Sequence, residues 1–305
     1  MTARLHIVRT GAATTIQDAG RFGMLQHGVS ASGPMDAGAF QLGGTLLAKA
    51  GDAAIEITRA EFRAVVEGDP VQMAVAGGEF RLEVNGQPAL WPGVVSLADG
   101  DRVAVVPGAG GNYGYLRFDH SIDVPRLMGS RATNLMAGLG GLEGRALRAG
   151  DELALVAPAA SASALRSVGQ IPAPSSGPIR FIWGIHADLF APAVRQAFLG
   201  ATFRVSNRMD RMGVRLDDPS GVFADTPILS LVSDAVVPGD VQILGDGTPI
   251  VLMRDHQPTG GYPRIATVIT ADFDRFAQLR PGTSLTFAPV TLEHAHDLFS
   301  GRRVS

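Results

Sequence analysis

Glycine and proline punctuate this chain so densely that few segments can continue as long helices. The 305 residues include 38 Gly and 19 Pro, and the apolar stretches between them are short and rich in β-branched or alternating residues. Runs at 5–9, 54–58, 62–66, 72–76, 80–84, 102–106 and 115–118 are each bounded by Gly, Pro, Asp or Asn, the signature of short strands joined by tight turns. The second half repeats the pattern at 179–183, 202–205, 214–216, 241–244, 250–253, 265–269 and 284–287. The expected class is therefore mainly β with a few helices. Apolar residues are 46% of the chain and charged residues 18%, enough apolar material to bury a core.

Helices are expected at 189–198, 271–279 and 291–299, and one more after Ser32-Gly33-Pro34, which offers a cap and a first-turn proline ahead of Met35, Phe40, Leu42, Leu46 and Leu47. Gly43-Gly44 weakens that helix by roughly 1 kcal/mol per glycine relative to alanine, which points to close packing there. The stretch 157–177, rich in Ala, Ser and Pro, reads as a linker between a first domain, 1–165, and a second, 178–305, either of which can be discontinuous. A short pattern recurs: Leu147-Arg-Ala-Gly-Asp-Glu-Leu153, Leu279-Arg-Pro-Gly-Thr-Ser-Leu285 and, more loosely, Leu97-Ala-Asp-Gly-Asp-Arg-Val103. Each predicts a glycine turn followed by a strand entering a core, as in barrel-like units.

Composition narrows the chemistry. The net charge is −3 and there is no basic stripe, so nucleic acid is not an expected partner. Of the 26 cationic residues only Lys49 is lysine, and there is no cysteine, which excludes thiolate nucleophiles and Cys-ligated metals. No run approaches the ~18 apolar residues of a membrane span, and the N-terminus lacks an apolar signal segment; the expected location is the cytoplasm, with no membrane partner. Pro107-Gly108-Ala-Gly110-Gly111-Asn-Tyr113 lacks the third glycine and the following helix of a dinucleotide loop. His294-Ala-His296-Asp297 sits in an expected helix, where positions two apart diverge, so no metal site is expected.

Three polar clusters combine carboxylates, arginines and glycines: Thr14 to Gly23 with Ser32 to Asp36, Ser206 to Gly213, and Arg254 to Pro263. Arginine offers a planar fork for carboxylate or phosphate, aspartate can take or orient a proton, and glycine lets backbone approach a ligand. Turn-stabilising surface ion pairs are the competing reading.

These clusters resemble those of the biotin-dependent carboxyltransferase A/B subdomain family, also called allophanate hydrolase subunit 2, which includes the KipA proteins and the C subunit (PxpC) of 5-oxoprolinase. The segments that match are Thr15-Ile-Gln-Asp-Ala-Gly-Arg-Phe-Gly23, Gly33-Pro-Met-Asp36, Asp210-Arg-Met-Gly213 with Val214-Arg-Leu216, Gly239-Asp-Val-Gln242, Asp246-Gly-Thr-Pro249 and Gln257-Pro-Thr-Gly-Gly-Tyr-Pro263, in the family's order. Pro34 and Pro258 depart from the usual Ala and Thr, and an Asn usual after Asp36 is missing. The resemblance implies two cyclophilin-like β-barrel subdomains and three candidate activities. The first is the C subunit of an ATP-dependent 5-oxoprolinase, helping convert 5-oxo-L-proline to L-glutamate with a C/D-subdomain partner (KipI/PxpB-like) and a PxpA-like subunit. The second is a stand-alone carboxyltransferase acting on a urea-like or small amide acceptor, with biotin carried by another chain, since Lys49 lies in the expected helix. The third is a KipA-type antagonist of a kinase inhibitor without catalysis.

On the first reading, ATP is bound in the complex rather than by this chain alone. Asp18, Asp210 and Asp255 would be catalytic. Arg21, Arg211 and Arg254 would hold anions, and Asp36, Gln257, Thr259, Gly260, Gly261 and Tyr262 would complete the substrate site. The three clusters would then converge on one pocket for a small molecule.

Overall fold

The computed structural model describes residues 2–157, 177–226 and 230–301; the expected linker falls almost wholly outside them. The chain forms two compact units. The first is Met1–Met24 with Ala31–Ser167, and the second is Leu25–Ser30 with Val168–Ser305. The expected mainly-β class holds, with short antiparallel strands in both units.

The first unit contains two sheets. Seven strands lie in the order Ser121–Ile122, Glu152–Val156, Thr2–Arg9, Phe62–Gly68, Arg102–Pro107, Phe80–Val84, Gln87–Ala89, and five in the order Thr15–Gln17, Ala54–Ile57, Gly114–Phe118, Val71–Gly77, Gly93–Leu97. Their alternating apolar residues meet in one core: Leu5, Ile7, Phe62 and Val105 from the first sheet pack with Ile55, Met73, Val75 and Leu116 from the second. Burial alternates along Phe62–Gly68 as a half-covered strand requires.

In the second unit eight strands run Ser284–Leu285, Phe203–Met209, Gly213–Asp217, Pro249–Leu252, Asp240–Ile243, Arg264–Val268, Ile179–Trp183, Phe287–Pro289. The two outermost strands are separated in sequence by Thr286 alone. A single extended segment thus pairs with Phe203–Met209 at one end and, in parallel, with Ile179–Trp183 at the other. The sheet comes back on itself as a nearly closed barrel, which leaves few exposed strand edges. Phe198, from the helix Pro192–Gly200, is fully buried and packs 5.5 Å from the rings of Phe181 and Phe203 and 5.0 Å from Phe287.

The recurrent Leu-x-x-Gly pattern is one device used in both units. In each copy a glycine with positive φ (Gly100, Gly150, Gly282) sits in a tight turn. Its N–H donates to a strand carbonyl (Val66, Ile7, Val205), and that residue's own N–H donates to the carbonyl just after the glycine (Asp101, Asp151, Thr283). A side chain at this φ is strained, so the turn needs glycine and fixes the register of the strand that follows.

The first helix begins later than expected. Its cap is Asp36, whose carboxylate accepts from Ala39 N at 2.8 Å, and the helix spans Ala37–Thr45. Ser32 instead takes a left-handed φ of 55°, outside any helix. Lys49 consequently lies past the helix end, exposed, and not within it. Gly43 and Gly44 pack on Arg117, whose guanidinium lies 4.2 Å over the Phe40 ring and donates to the carbonyls of Phe40 and Gly51. Burial pulls the Arg117 pKa down to about 10, so it stays charged at neutral pH.

Candidate functional site

In the first unit the polar groups expected at the site hold loops to one another. Asp18, nearly buried, accepts from Gly20 N at 3.0 Å, Ser130 Oγ at 2.6 Å and Arg131 N at 2.6 Å. Arg21, 1% exposed, donates from Nε to Leu127 O and from Nη2 to Ala132 O. Both side chains therefore tie the 18–21 loop to 127–132. The segment leading to Asp36 is pinned three times: Gly33 N to Gln17 Oε1, Met35 N to Glu56 Oε2, and Asp36 N to the Tyr115 hydroxyl, which itself donates to Glu56. Burial, with Glu56 beside it, pushes the Tyr115 pKa well up, so this hydroxyl remains a donor. Gly20 and Gly33 each have positive φ, and a Cβ on either would stand 3.1 Å from a carbonyl of the other loop.

In the second unit two of the expected site residues share a groove. Asp210 sits in the turn between Phe203–Met209 and Gly213–Asp217, with Oδ1 accepting from Met212 N at 2.7 Å and Gly213 N at 3.1 Å. Among the described residues its other oxygen has no partner. A depression of about 440 Å³ on the barrel wall is lined by Arg208, Asp210, Arg215, Gln257 and the apolar Met212 and Ile250. The Arg208 and Arg215 guanidinium groups have no hydrogen-bond or ion-pair partner among the described residues. Nearby, the Asp246 carboxyl is held below its ordinary value mainly by hydrogen bonds from Thr248, with Arg215 adding a smaller pull.

Other expected site residues are placed elsewhere in that unit. Arg211 and Asp255 form a buried two-point ion pair, Nε to Oδ2 at 2.8 Å and Nη2 to Oδ1 at 3.0 Å, and Asp255 N donates to Arg211 O. Arg254 lies 4.5 Å over the Phe273 ring and 3.7 Å from Asp274, lining a different cavity with Phe299 and His296. Thr259 and Gly260 pair with Asp234 and Ala235 in a small two-stranded ribbon, the Gly261 carbonyl accepts from Leu231 N, and Tyr262 is exposed. His256 is buried, its Nδ1 2.7 Å from Gln257 O. His294 and His296 lie on the helix Leu292–Ser300, and among the described residues no group of three or more His, Asp or Glu is placed to hold a metal. Among the described residues no helix is long and apolar enough to cross a membrane.

Residues 27–289 match the family model for the carboxyltransferase domain, subdomains A and B. The chain belongs to that family. It is 36% identical to the C subunit of 5-oxoprolinase from Escherichia coli over 294 residues, covering 95% of this chain and 93% of that one. Identity to the corresponding 5-oxoprolinase chain of Haemophilus influenzae is 32% over 296 residues, covering 96% and 94%. The crystal structure of K. lactis urea amidolyase superposes with a TM-score of 0.81 at 26% identity; 96% of this chain is covered but only 19% of that much longer protein. The carboxyltransferase-domain architecture is thus shared between short subunits and a segment of a large enzyme.

Arg208 and Arg215 were not among the residues singled out from the sequence. Each stands in a strand, Phe203–Met209 and Gly213–Asp217, where an outward arginine reads as a solvated charge. The available signals were the place of Arg208 in the polar cluster Ser206 to Gly213 and that of Arg215 in the family-like segment Val214-Arg-Leu216.

Proposed function

We propose that this chain is the C subunit of an ATP-dependent 5-oxoprolinase, helping to open 5-oxo-L-proline to L-glutamate together with a C/D-subdomain partner (KipI/PxpB-like) and a PxpA-like subunit. The observation that carries this reading is extent. The chain aligns nearly end to end with two bacterial proteins of that name, whereas it corresponds to a small part of urea amidolyase.

The groove has chemistry suited to the reaction. A lactam amide resists water because its resonance must be lost. Transfer of a phosphoryl group from ATP to the amide oxygen releases ADP and activates the carbon; a first water adds there, the C–N bond breaks to free the amine and leave an acyl phosphate, and a second water hydrolyses the acyl phosphate to the carboxylate of glutamate and inorganic phosphate. Arg208 and Arg215 supply positive charge for a carboxylate or phosphate, Gln257 supplies an amide to read the lactam, and the unpartnered oxygen of Asp210 can accept a proton from water. ATP would be held at surfaces that include the partner chains.

The test is reconstitution. The purified chain, mixed with its C/D partner and the third subunit, is expected to give ATP-dependent loss of 5-oxoproline; no loss with all three present and folded refutes the reading. The likeness to urea amidolyase favours carboxyl transfer to a urea-like acceptor as the second reading, with biotin on another chain. Bicarbonate-dependent carboxylation in the presence of a biotinylated carrier would establish it instead.

A further inference from the structure

A second depression on the barrel wall adjoins the groove, and its lining carries both signs of charge. It encloses about 360 Å³, within the usual range of small-ligand sites, about 300–1,000 Å³. Arg204 and Arg208, both on the strand Phe203–Met209, line it together with Asp217, Asp218 and Asp246. Leu216 and Pro249 add apolar surface. Arg208 also lines the groove that holds Asp210 and Gln257, so the two cavities share one arginine. Arg204, Asp217 and Asp218 belong to the second cavity and not to the groove.

These charges do not neutralise one another. Arg204 and Asp217 are directly opposed across the paired strands Phe203–Met209 and Gly213–Asp217, yet among the described residues neither side chain makes a hydrogen bond or an ion pair. Asp218 commits Oδ2 to Phe223 N at 3.3 Å, while its Oδ1 is buried and has no partner among the described residues. The Asp246 carboxyl is kept ionised by hydrogen bonds from Thr248, with a smaller contribution from Arg215. Opposite charges that line one cavity without bonding to each other match a ligand that itself carries both signs, because an arginine takes a carboxylate and a carboxylate takes an ammonium group. A polyphosphate fits this lining badly, since three carboxylates repel it.

We propose that this depression binds a free α-amino acid, with Arg204 and Arg208 holding carboxylate and Asp218 holding the ammonium group. The amino acid assigned is L-glutamate, whose two carboxylates meet the two arginines; that assignment rests on the function proposed above. Ring opening creates the feature that the cavity selects. The nitrogen of 5-oxoproline is a neutral lactam amide, which gives Asp218 no charge to hold, whereas the nitrogen of glutamate is an ammonium group. The groove and the depression thus divide substrate from product, and the shared Arg208 sets the product site beside the place where the product forms.

Equilibrium dialysis of radiolabelled L-glutamate against the full chain tests this, and a single saturable site per chain is expected. Glutarate keeps both carboxylates but has no ammonium group, so it should compete at least about tenfold more weakly than L-glutamate, the equivalent of one charged hydrogen bond. Arg204→Gln and Asp218→Asn should each weaken L-glutamate binding at least about tenfold, with the thermal midpoint unchanged, since Asn keeps an acceptor for Phe223 N. Both positions lie outside the groove, so 5-oxoproline turnover by the reconstituted complex should be unchanged in either variant. Asp210→Asn, in the groove, should leave L-glutamate binding as it is. The proposal is overturned by any of three results: no saturable binding, equal competition by glutarate, or binding lost in Asp210→Asn but kept in Arg204→Gln. The site and the proposed function fail separately. Turnover of 5-oxoproline by a complex whose C subunit does not bind L-glutamate refutes the site alone, and L-glutamate binding without turnover refutes the function alone.

Discussion

Asp255 and Arg211 present a choice between chemistry and architecture that a double-mutant cycle resolves. Both side chains are almost fully buried, at 1% and 4% exposure, and joined by two hydrogen bonds of 2.8 and 3.0 Å. Replacing Asp255 with Asn keeps the shape but removes the negative charge opposite a buried guanidinium. Breaking one side of a buried ion pair costs about 3–5 kcal/mol. For a unit of this size each kcal/mol is worth roughly 3 °C, so a fall in the melting midpoint on the order of 10 °C is expected. Arg211→Met should cost a similar amount by stranding the carboxylate. The double variant Arg211→Met/Asp255→Leu should recover most of the loss, because apolar replacement of both partners is often close to neutral, and the cycle should show strong coupling between them. The measurement is urea denaturation of all four proteins, with 5-oxoproline turnover of the reconstituted complex alongside. If Asp255→Asn stays within about 1 kcal/mol of the parent stability yet abolishes turnover, the architectural reading is wrong and the carboxylate takes part in the reaction.

Asp210→Asn keeps an oxygen for the N–H groups of Met212 and Gly213 and should fold as the parent does, while turnover falls by about 10²-fold or more, as expected for loss of a proton acceptor; turnover within twofold of the parent removes Asp210 from the site. Gly44→Ala would place a Cβ against Arg117 Nη1 and 3.0 Å from its Cζ, so instead of the usual helical gain of about 1 kcal/mol a net loss of about 1–2 kcal/mol is expected from overpacking, read by thermal melting; a gain would show that Arg117 can move aside. Burial lowers the pKa of both His256 and His186. The unfolded chain therefore takes up protons before the folded one, and stability should be full above the ordinary histidine value of about 6.5 and decline as pH falls below it. His256→Gln should flatten part of that decline, and a midpoint unchanged between pH values of about 7.5 and 5.5 contradicts the argument.

Much of the fold could be read along the chain, because half-buried strands alternate and turns announce themselves by glycine. The strand Phe80–Val84 and the strand Ile179–Trp183 lie where their patterns put them, and the repeated glycine turn proved to be one hydrogen-bonded device. A barrel was expected from the family resemblance, but which strands close it was not legible. Closure depends on the two strands of 284–289 pairing with Phe203–Met209 and Ile179–Trp183, far earlier in the chain, and no local pattern encodes a partner at that distance. The first helix cap differs from expectation for a related reason: Ser32 and Asp36 are both good caps, and only the backbone pinned by Gln17, Glu56 and Tyr115 selects between them.

The site shows the same division more sharply. Residue type tells what a side chain can do, whereas its partners decide what it is left to do. Asp18, Arg21, Arg211 and Asp255 have the right chemistry for a site, yet they are engaged within the protein. Arg208 and Arg215 are ordinary in sequence and Gln257 was expected at the site, and all three carry side-chain hydrogen-bonding groups that have no partner among the described residues. A buried polar group is normally satisfied at once by its neighbours, so the informative ones are those the fold surrounds without bonding. Gln242 belongs to a segment that resembles the family, and nothing in that segment distinguishes it from a strand residue packed for stability. Gly260 packs so closely on its amide that a Cβ there would stand 2.5 Å from Nε2, a contact between distant segments that only the three-dimensional structure reveals.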